Sequence, residues 1–368
     1  MVDGLATSSS LPAIVHFAKA HNWRIAIKDP YRPPINWTGD GVMLQALDLP
    51  ESIRCIRRFN KLGIPVLQML PRIPKVKMVS ISPDYREAGR IAAKHFAERR
   101  FSRIAWFSLE WTNLHNHIWE GFIESWSGDP PEKWSWMDDA RANQFDDYKA
   151  IMSWVEKKLQ KAVKPIGILA FNTYNAMHVL EACEALGLSV PDDVAILAAR
   201  DDNQVFAELQ NVPLSGIDFE IEKTTQLALE AMEKLLAGEN VPDVAIPPSG
   251  VRIRKSTNTM ATDNPFLQKI YTLIRKNLTL PYGAAQISMD LGLPRSTLDL
   301  KASQALGHSL GEEIINIRLA EAKQLLMGSE LKLETIARQT GFCNAAYLIK
   351  TFKKKTGFTP RQWQEKRD

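Results

Sequence analysis

The sequence has few cysteines and no long apolar run, and each shortage excludes a class of protein. The three cysteines, Cys55, Cys183 and Cys343, are too far apart for paired zinc-ligand spacings, and they favour free thiols in a reducing compartment. The longest apolar runs, such as residues 194–199, are far shorter than the roughly 20 residues that span a bilayer. Because the amino terminus also lacks the features of a secretory signal, the sequence predicts a cytoplasmic protein that makes no membrane contact.

The common signatures of catalytic and cofactor sites are missing as well. No glycine-rich dinucleotide or nucleoside-triphosphate loop follows a strand, and no zinc-protease or nucleophile-elbow motif occurs. His115 and His117 are two residues apart, a spacing that does not place two side chains on one helix face, so we expect a polar loop there and not a metal pair. We therefore predict no catalytic residue, no metal site and no cofactor.

Basic charge is concentrated in the last third of the chain. Residues 263–368 contain 16 Lys and Arg against 10 Asp and Glu, whereas the rest of the chain carries 30 against 32. This asymmetry indicates contact with a polyanion, although a solvated basic surface is the plainer alternative.

A length of 368 residues predicts two or three domains, and the pattern of the chain divides it. Short apolar runs alternate with amphipathic helical stretches, which predicts a parallel, doubly wound α/β fold with two stacked lobes. The strand candidates are residues 24–27, 41–44, 66–69, 77–81, 103–107, 167–171 and 194–198. Between residues 247 and 265 the pattern fails and the composition turns polar. We predict an α/β domain over residues 1–255, a linker over residues 256–264 and an all-α domain over residues 265–368.

A first helix-turn-helix unit is predicted over residues 284–307. A helix over 284–291 ends at Gly292, which suits a left-handed turn, and Pro294 sits at the start of the next helix. In this geometry the second helix lies in the major groove. The candidate DNA-contacting residues of this unit are Arg295, Ser296, Thr297 and Lys301.

A second unit follows about fifty residues later, over residues 333–363. Gly341 supplies the turn and Asn344 the cap of a helix over 345–355. The spacing of Tyr347, Leu348 and Phe352 predicts one buried face, which leaves lysines toward the DNA phosphates. The candidate contacts are Asn344, Ala345, Tyr347, Lys350, Lys353 and Lys354. A helix over 311–327 between the units would hold both rigidly, so that their recognition helices enter successive major grooves.

Residues 265–366 resemble the DNA-binding domain of the AraC family of transcription activators. The segments IARQTGF and YLIKTFKKKTGFTP and the aromatic Trp363 carry the resemblance. The first unit departs from it, because the residues after Leu298 lack the usual aromatic anchor and include Asp299, which opposes a phosphate contact if it faces DNA. Its recognition helix is therefore expected to read different bases or to contribute little.

Charged residues follow the apolar strand at residues 194–198. Arg200, Asp201 and Asp202 stand at its carboxyl end, where open α/β folds bind ligands. Carboxylates accept paired hydrogen bonds from adjacent hydroxyls, which suits a sugar. A helix-capping role is the alternative for Asp202.

The same stretch is similar to the ligand-binding domain of LacI-type repressors, a two-lobed fold like that of periplasmic binding proteins. The segments PDDVAILAARDD and PLSGID and residues 82–108 carry this resemblance, and the whole chain resembles the xylose-operon activator group. The resemblance implies a homodimer with D-xylose or a related sugar in the cleft, where Asp201, Asn172 and Thr173 match family positions. Arg200 replaces an apolar residue and would favour a sugar acid or phosphate.

These observations predict a sequence-specific regulator of transcription that binds double-stranded DNA. It is expected to be an activator, with RNA polymerase as a partner, under the control of a small-molecule effector bound in the sensor, our term for the α/β domain. Two alternatives stay open. The sensor binds a non-sugar ligand or none, or the cleft is an enzyme site in which Asp201 and Asp202 serve as acid and base.

Overall fold

The computed structural model describes residues 2–3, 10–28, 37–110, 112–139, 147–262, 264–328 and 331–365. In these ranges the chain forms an α/β part up to residue 252 and a helical part from residue 265, which is the predicted fold class. No helix of these ranges is long and apolar enough to cross a membrane. Residue 263 of the predicted linker and residues 366–368 of the predicted helical domain lie outside the described residues.

The α/β part has short strands and longer helices. In chain order its elements are β1 (Val2–Asp3), α1 (Ser10–Ala20), β2 (Ile27–Lys28), β3 (Val42–Leu44), α2 (Pro50–Lys61), β4 (Val66–Gln68), β5 (Val79–Pro83), α3 (Tyr85–Glu98), β6 (Ile104–Ser108), α4 (Asn113–Ser125), β7 (Glu132–Ser135), α5 (Trp136–Asp139), α6 (Tyr148–Lys161), β8 (Ile166–Ala170), α7 (Thr173–Ala185), β9 (Val194–Ala198), α8 (Gln204–Leu209), β10 (Ser215–Asp218), α9 (Ile221–Leu236), β11 (Val244–Ile246) and β12 (Gly250–Arg252).

Two sheets form the two predicted lobes. The first lobe has the strand order β11-β5-β4-β3, and the second has the order β12-β10-β9-β8-β6-β7. Their described strand pairs are parallel except that β12 runs antiparallel to β10. Every residue of β6, β8 and β9 is buried. A central parallel strand is covered on both faces, which is why these strands are continuous apolar runs.

The predicted strands agree with the structure to within two residues in six of seven cases. The exception is the candidate at residues 24–27, which shares only Ile27 with β2. The prediction also missed β1, β10, β11, β12 and β7. The first two residues of β7, Glu132 and Lys133, are exposed. Strand β7 is an outer strand of its sheet and does not have the apolar run of a central strand.

The helical part contains two small cores joined by one long helix. Its helices are α10 (Pro265–Lys276), α11 (Ala284–Asp290), α12 (Arg295–Leu306), α13 (Leu310–Gly328), α14 (Leu333–Gln339), α15 (Ala345–Thr356) and α16 (Pro360–Glu365). Helix α13 contributes Ile314 to the first core, with Leu298, and Leu319 to the second, with Leu348. The long helix predicted between the two units therefore belongs to both.

The start of the predicted linker is packed against the second sheet. Residues Lys255–Thr257 form a short 3-10 helix. The buried Ser256 hydroxyl accepts a hydrogen bond from the Ser215 amide at 2.8 Å and donates one to the Ile196 carbonyl at 2.5 Å. Polar composition predicted a linker here, and the structure shows that the Ser256 hydroxyl satisfies backbone groups of the sheet. The domain boundaries themselves stay a prediction.

Candidate DNA-binding face and effector cleft

The two helix-turn-helix units have recognition helices of the same construction. Helices α12 and α15 each contain 12 residues, and each ends at a left-handed glycine, Gly307 with φ 76° and Gly357 with φ 80°. Leu298 and Leu348 are both the fourth residue of their helix and both fully buried. Residues fifty apart therefore occupy equivalent positions in the two helices.

Helix α15 presents lysines on the face opposite its core contacts. Lys350, Lys353 and Lys354 are exposed. At 100° per residue they project away from the buried Leu348 and Phe352. In a helix-turn-helix unit this outward face is the one that enters the major groove.

The predicted cap at the start of α15 is present. The Asn344 side chain accepts a hydrogen bond from the Tyr347 amide at 2.8 Å. Asn344 is exposed and Ala345 half-buried at this end of the helix, where recognition helices contact bases.

The prediction that Tyr347 lies on the buried face is wrong. Its side chain is 43% exposed, whereas Leu348 and Phe352 are fully buried. One residue before Leu348 corresponds to a rotation of 100° around the helix, which carries Tyr347 to the edge of the outward face. There its ring lies 5.9 Å from that of Phe342.

The predicted contacts of α12 are arranged differently. Arg295 is exposed, but its Nε lies 2.6 Å from a carboxylate oxygen of Asp299, one turn away. Lys301 is exposed, although its equivalent in α15, Thr351, is buried, and its ammonium group lies 5.9 Å from the ring centre of Phe266 in α10. Ser296 is exposed and Thr297 half-buried.

The second turn packs against the segment that leads into the first unit. A Cβ atom on Gly341 (φ 72°) would lie 2.2 Å from the carbonyl oxygen of Leu278, so only glycine fits. Arg318 of α13 donates hydrogen bonds to the carbonyls of Leu280 at 3.0 Å and Tyr282 at 2.9 Å. These contacts fix the two units relative to each other.

A buried carboxylate joins the α/β part to the helical part. Glu313 of α13 is 1% exposed, and it accepts a hydrogen bond from the Tyr271 hydroxyl at 2.8 Å. The guanidinium of Arg100, just after α3, lies 3.3 Å from the same carboxylate and 3.0 Å from the Tyr271 hydroxyl. His308 lies 2.7 Å from the other carboxylate oxygen. Burial and Glu313 raise the pKa of Tyr271, so its hydroxyl stays a donor.

A second polar contact joins the same two parts. Arg275 of α10 forms an ion pair with Asp192, which precedes β9. Arg275 also donates a hydrogen bond to the Thr259 hydroxyl at 2.6 Å, and that hydroxyl donates to Asp192 at 3.1 Å. Thr259 of the predicted linker therefore contacts both the helical part, through Arg275, and the α/β part, through Asp192.

In the predicted effector cleft, Asp201 is not available as an exposed ligand group. Its side chain has no exposed area, and a carboxylate oxygen lies 2.9 Å from the buried guanidinium of Arg254. Burial raises the pKa of Asp201, and Arg254 opposes that rise. Arg254 is 53 residues away in the sequence, so no local pattern indicated this pair.

Three other predicted ligand residues, Asn172, Thr173 and Asp202, take part in hydrogen bonds with backbone amides at the start of α7. The Asn172 side chain accepts a hydrogen bond from the Asn175 amide at 2.9 Å and caps α7. Asp202 accepts one from the Thr173 amide at 3.2 Å, and Thr173 is buried. Asp202 thus bonds a helix-end amide, close to the capping role left open for it.

Arg200 is placed against aromatic residues that the prediction did not include. Its guanidinium carbon lies 5.3 Å from the ring centre of Phe171 and 6.0 Å from that of Tyr85. His115 stacks on Phe171 at 3.6 Å and lies 2.9 Å from the Ser108 hydroxyl. Desolvation first, and then Arg200, lower the pKa of His115 to about 3, so this imidazole is neutral. Phe171 and Ser108 directly follow or end strands, which is the signal that points to them.

The loop expected at His115 and His117 is helical, because both residues belong to α4. His115 accepts a hydrogen bond from the Thr112 amide at 2.9 Å and completes the start of the helix. Among the described residues no group of three His, Cys, Asp or Glu side chains could hold a metal ion.

Comparisons with known proteins agree with this architecture. A family model described as a periplasmic binding protein-like domain matches residues 93–257, and one described as a helix-turn-helix domain matches residues 287–366. The xylose operon regulatory protein of Escherichia coli (strain K12) is 22% identical over 368 residues, covering 95% of this chain and 90% of its own length. The protein of that name from Haemophilus influenzae is 23% identical over 293 residues, covering 77% and 74%.

Solved structures extend the comparison to the fold. A structure of the xylose-binding transcription activator xylR has a TM-score of 0.60 at 19% identity, with 99% of this chain and 97% of that chain covered. The transcription regulator CcpA of Lactococcus lactis has a TM-score of 0.56 at 16% identity and covers 69% of this chain. The chain thus joins a periplasmic-binding-protein-like domain to an AraC-type helix-turn-helix domain, which is the arrangement of a DNA-binding transcription regulator, and it resembles the xylose operon regulatory proteins.

Proposed function

We propose that this protein is a ligand-responsive transcription regulator in which the sensor controls how the two helix-turn-helix units engage double-stranded DNA. The observation that carries the proposal is the buried Glu313 cluster. It connects Arg100 at the end of α3 in the sensor to α13, the helix that both DNA-binding units share. A ligand that favours one arrangement of the lobes can then change the orientation of both units.

The test is a coupling measurement on the full chain. An effector that changes DNA affinity by some factor must have its own affinity changed by DNA by the same factor. Glu313→Gln removes the charge that holds Arg100, so we expect this factor to move toward one while each ligand still binds alone. Glu312→Gln is the matched control. Glu312 is next to Glu313 in the sequence, but it is half-exposed and pairs with Lys355 inside the helical part. Equal coupling in both variants contradicts the proposal.

We propose a sugar or sugar-derived effector, since relatives of similar architecture are named for xylose. Arg200 favours an anionic member of that class, a sugar acid or sugar phosphate, because a guanidinium binds carboxylate and phosphate through paired hydrogen bonds. A thermal-shift screen of pentoses, hexoses and their acids identifies the class by a raised melting temperature. Arg200→Gln should remove the shift given by an acid. If no compound shifts the melting temperature, a sensor without a ligand is favoured.

We propose that the cleft binds its ligand without catalysis. An acid and base pair formed by Asp201 and Asp202 is disfavoured because Asp201 is paired with Arg254 and Asp202 accepts from Thr173. Incubation of the sensor's ligand with the protein, followed by chromatography, should return the ligand unchanged.

We propose a homodimer that contacts RNA polymerase as an activator. A cluster of exposed apolar side chains at the start of α7 and on α8 offers a contact surface for a second copy: Tyr174, Val205, Phe206 and Leu209 are 48%, 65%, 39% and 73% exposed. Leu209→Glu should convert a dimer to a monomer in light scattering, and transcription with purified polymerase tests activation. An unchanged mass in the variant removes this surface from the proposal.

A further inference from the structure

The outward face of α12 is uncharged where that of α15 is basic. Because residues fifty apart are equivalent, the three lysines of α15 have counterparts that can be read directly. Lys350, Lys353 and Lys354 correspond to Leu300, Ser303 and Gln304.

Leu300 is the prominent residue of this face. Its side chain is 58% exposed, whereas Leu298 and Ala302 on either side are fully buried. Each of these neighbours is two residues away, a rotation of 200°, so Leu300 points away from the core. A large apolar side chain in this position gains free energy when a partner covers it.

The two cations of α12 lie outside this face. Arg295 pairs with Asp299 at 2.6 Å, and Lys301 faces Phe266 on the flank of the helix. The face around Leu300 therefore has little attraction for phosphates, unlike its counterpart in α15. It is suited to an apolar contact inside the groove, and the only apolar group that B-DNA offers in its major groove is the thymine 5-methyl group.

We propose that Leu300 is a specificity-determining residue that packs against a thymine 5-methyl group in the half-site of the first helix-turn-helix unit. The proposal rests on the proposed DNA-binding function. Its geometric basis is that Leu300 occupies in α12 the position of the exposed Lys350 in α15, and the second helix of such a unit lies in the major groove. The test below also distinguishes contact of this face with DNA from contact with RNA polymerase or with a second copy of the chain.

The experiment uses the full chain and DNA selected by it from a random-sequence library. In the selected duplex each thymine is replaced singly by uracil, which removes only the methyl group. We expect at least one replacement, within one half-site, to raise Kd roughly fourfold, the value of one buried carbon. Leu300→Ala should bind the thymine and uracil duplexes equally. Leu300→Met, which keeps an apolar side chain, should retain the difference.

Lys350→Ala is the matched control at the equivalent position of α15. It should weaken binding to thymine and uracil duplexes alike and reduce the salt dependence of binding. Circular dichroism checks that each variant is folded, as expected for substitutions at exposed sites.

The remaining outcomes overturn the inference. It is wrong if no uracil replacement weakens binding, or if the discrimination persists in Leu300→Ala. It is also wrong if Leu300→Ala binds DNA like the wild type and loses only transcription activation or self-association, since Leu300 then faces a protein. If the full chain enriches no sequence from the library, the proposed function fails as well.

Discussion

Helices α12 and α15 have the same length, the same glycine cap and the same buried leucine, but they present different chemistry to the outside. The outward positions of α15 carry Lys350, Lys353 and Lys354, and the equivalent positions of α12 carry no charge. Phosphate contacts supply affinity, whereas contacts with base edges supply specificity. The same helix-turn-helix scaffold therefore presents basic outward positions on the recognition helix α15 of the second unit and neutral ones on α12 of the first.

The largest expected effect comes from removing the lysines of α15. Replacing Lys350, Lys353 and Lys354 together with alanine should make the negative slope of log K against log salt shallower by about 2.7. The same replacement should reduce the affinity at 0.1 M salt on the order of hundredfold. Replacing Leu300, Ser303 and Gln304 with alanine should leave the slope unchanged. Fluorescence anisotropy at several salt concentrations measures both slopes, and equal slopes in the two variants would contradict the proposed difference between α12 and α15.

The next largest effect is expected at the turns of the two units, where replacing the glycine should cost different amounts of stability. Gly341→Ala forces a Cβ against the Leu278 carbonyl at a backbone angle that favours glycine, so we expect it to destabilise the helical part by about 2–4 kcal/mol. Gly292→Ala is the matched control, since Gly292 has φ 61° but no atom within 4 Å of its added Cβ. Its cost should be about 1 kcal/mol. Urea unfolding compares the two variants, and similar costs would show that the second turn does not pack against the segment that leads into the first unit.

The helix caps provide a smaller contrast. Asn344→Ala removes the hydrogen bond to the Tyr347 amide and should cost about 1 kcal/mol of stability. Its counterpart at the start of α12 is Pro294, which provides no side-chain cap. Pro294→Ala should therefore change stability by less than about 0.5 kcal/mol, as is usual for a substitution at an exposed site without a side-chain cap. The same urea unfolding experiment tests both, and an equal loss would contradict the capping role.

The smallest effect is expected from freeing Arg295. Asp299→Asn removes the partner that lies 2.6 Å from the guanidinium. If Arg295 then reaches a phosphate, the salt slope should steepen by about 0.9 or less. Glu334→Gln on α14 is a control for loss of one negative charge at an exposed position. An equal change in both variants would show only the change in net charge.

Local signals in the sequence were enough for the second unit. Asn344 before an amphipathic helix and Gly341 at the turn are short-range features, and both occupy the predicted roles. The exposure of Tyr347 and the position of Lys301 on the flank of α12 could also have been predicted from the sequence. Counting 100° per residue from Leu348 and Leu298 places Tyr347 outside the buried face and Lys301 on the flank of its helix.

Contacts between distant segments were not predictable in this way. The Asp201 to Arg254 pair and the Glu313 to Arg100 contact join residues 53 and 213 positions apart. Either residue of such a pair looks like an ordinary surface charge in the sequence, since Arg and Asp are rarely buried unless paired. The predicted ligand role of Asp201 rested on its place at a strand end and on a family position. Its burial depends on Arg254, which only the fold brings to it.

The central claim is that α15 contacts DNA phosphates more strongly than α12. The most direct test is phosphate ethylation interference on the selected DNA, measured separately for each half-site. We expect strong interference at the phosphates flanking the half-site of the second unit and weak interference at those flanking the half-site of the first. Equally strong interference around both half-sites, or none at either, would contradict the proposed difference between α12 and α15.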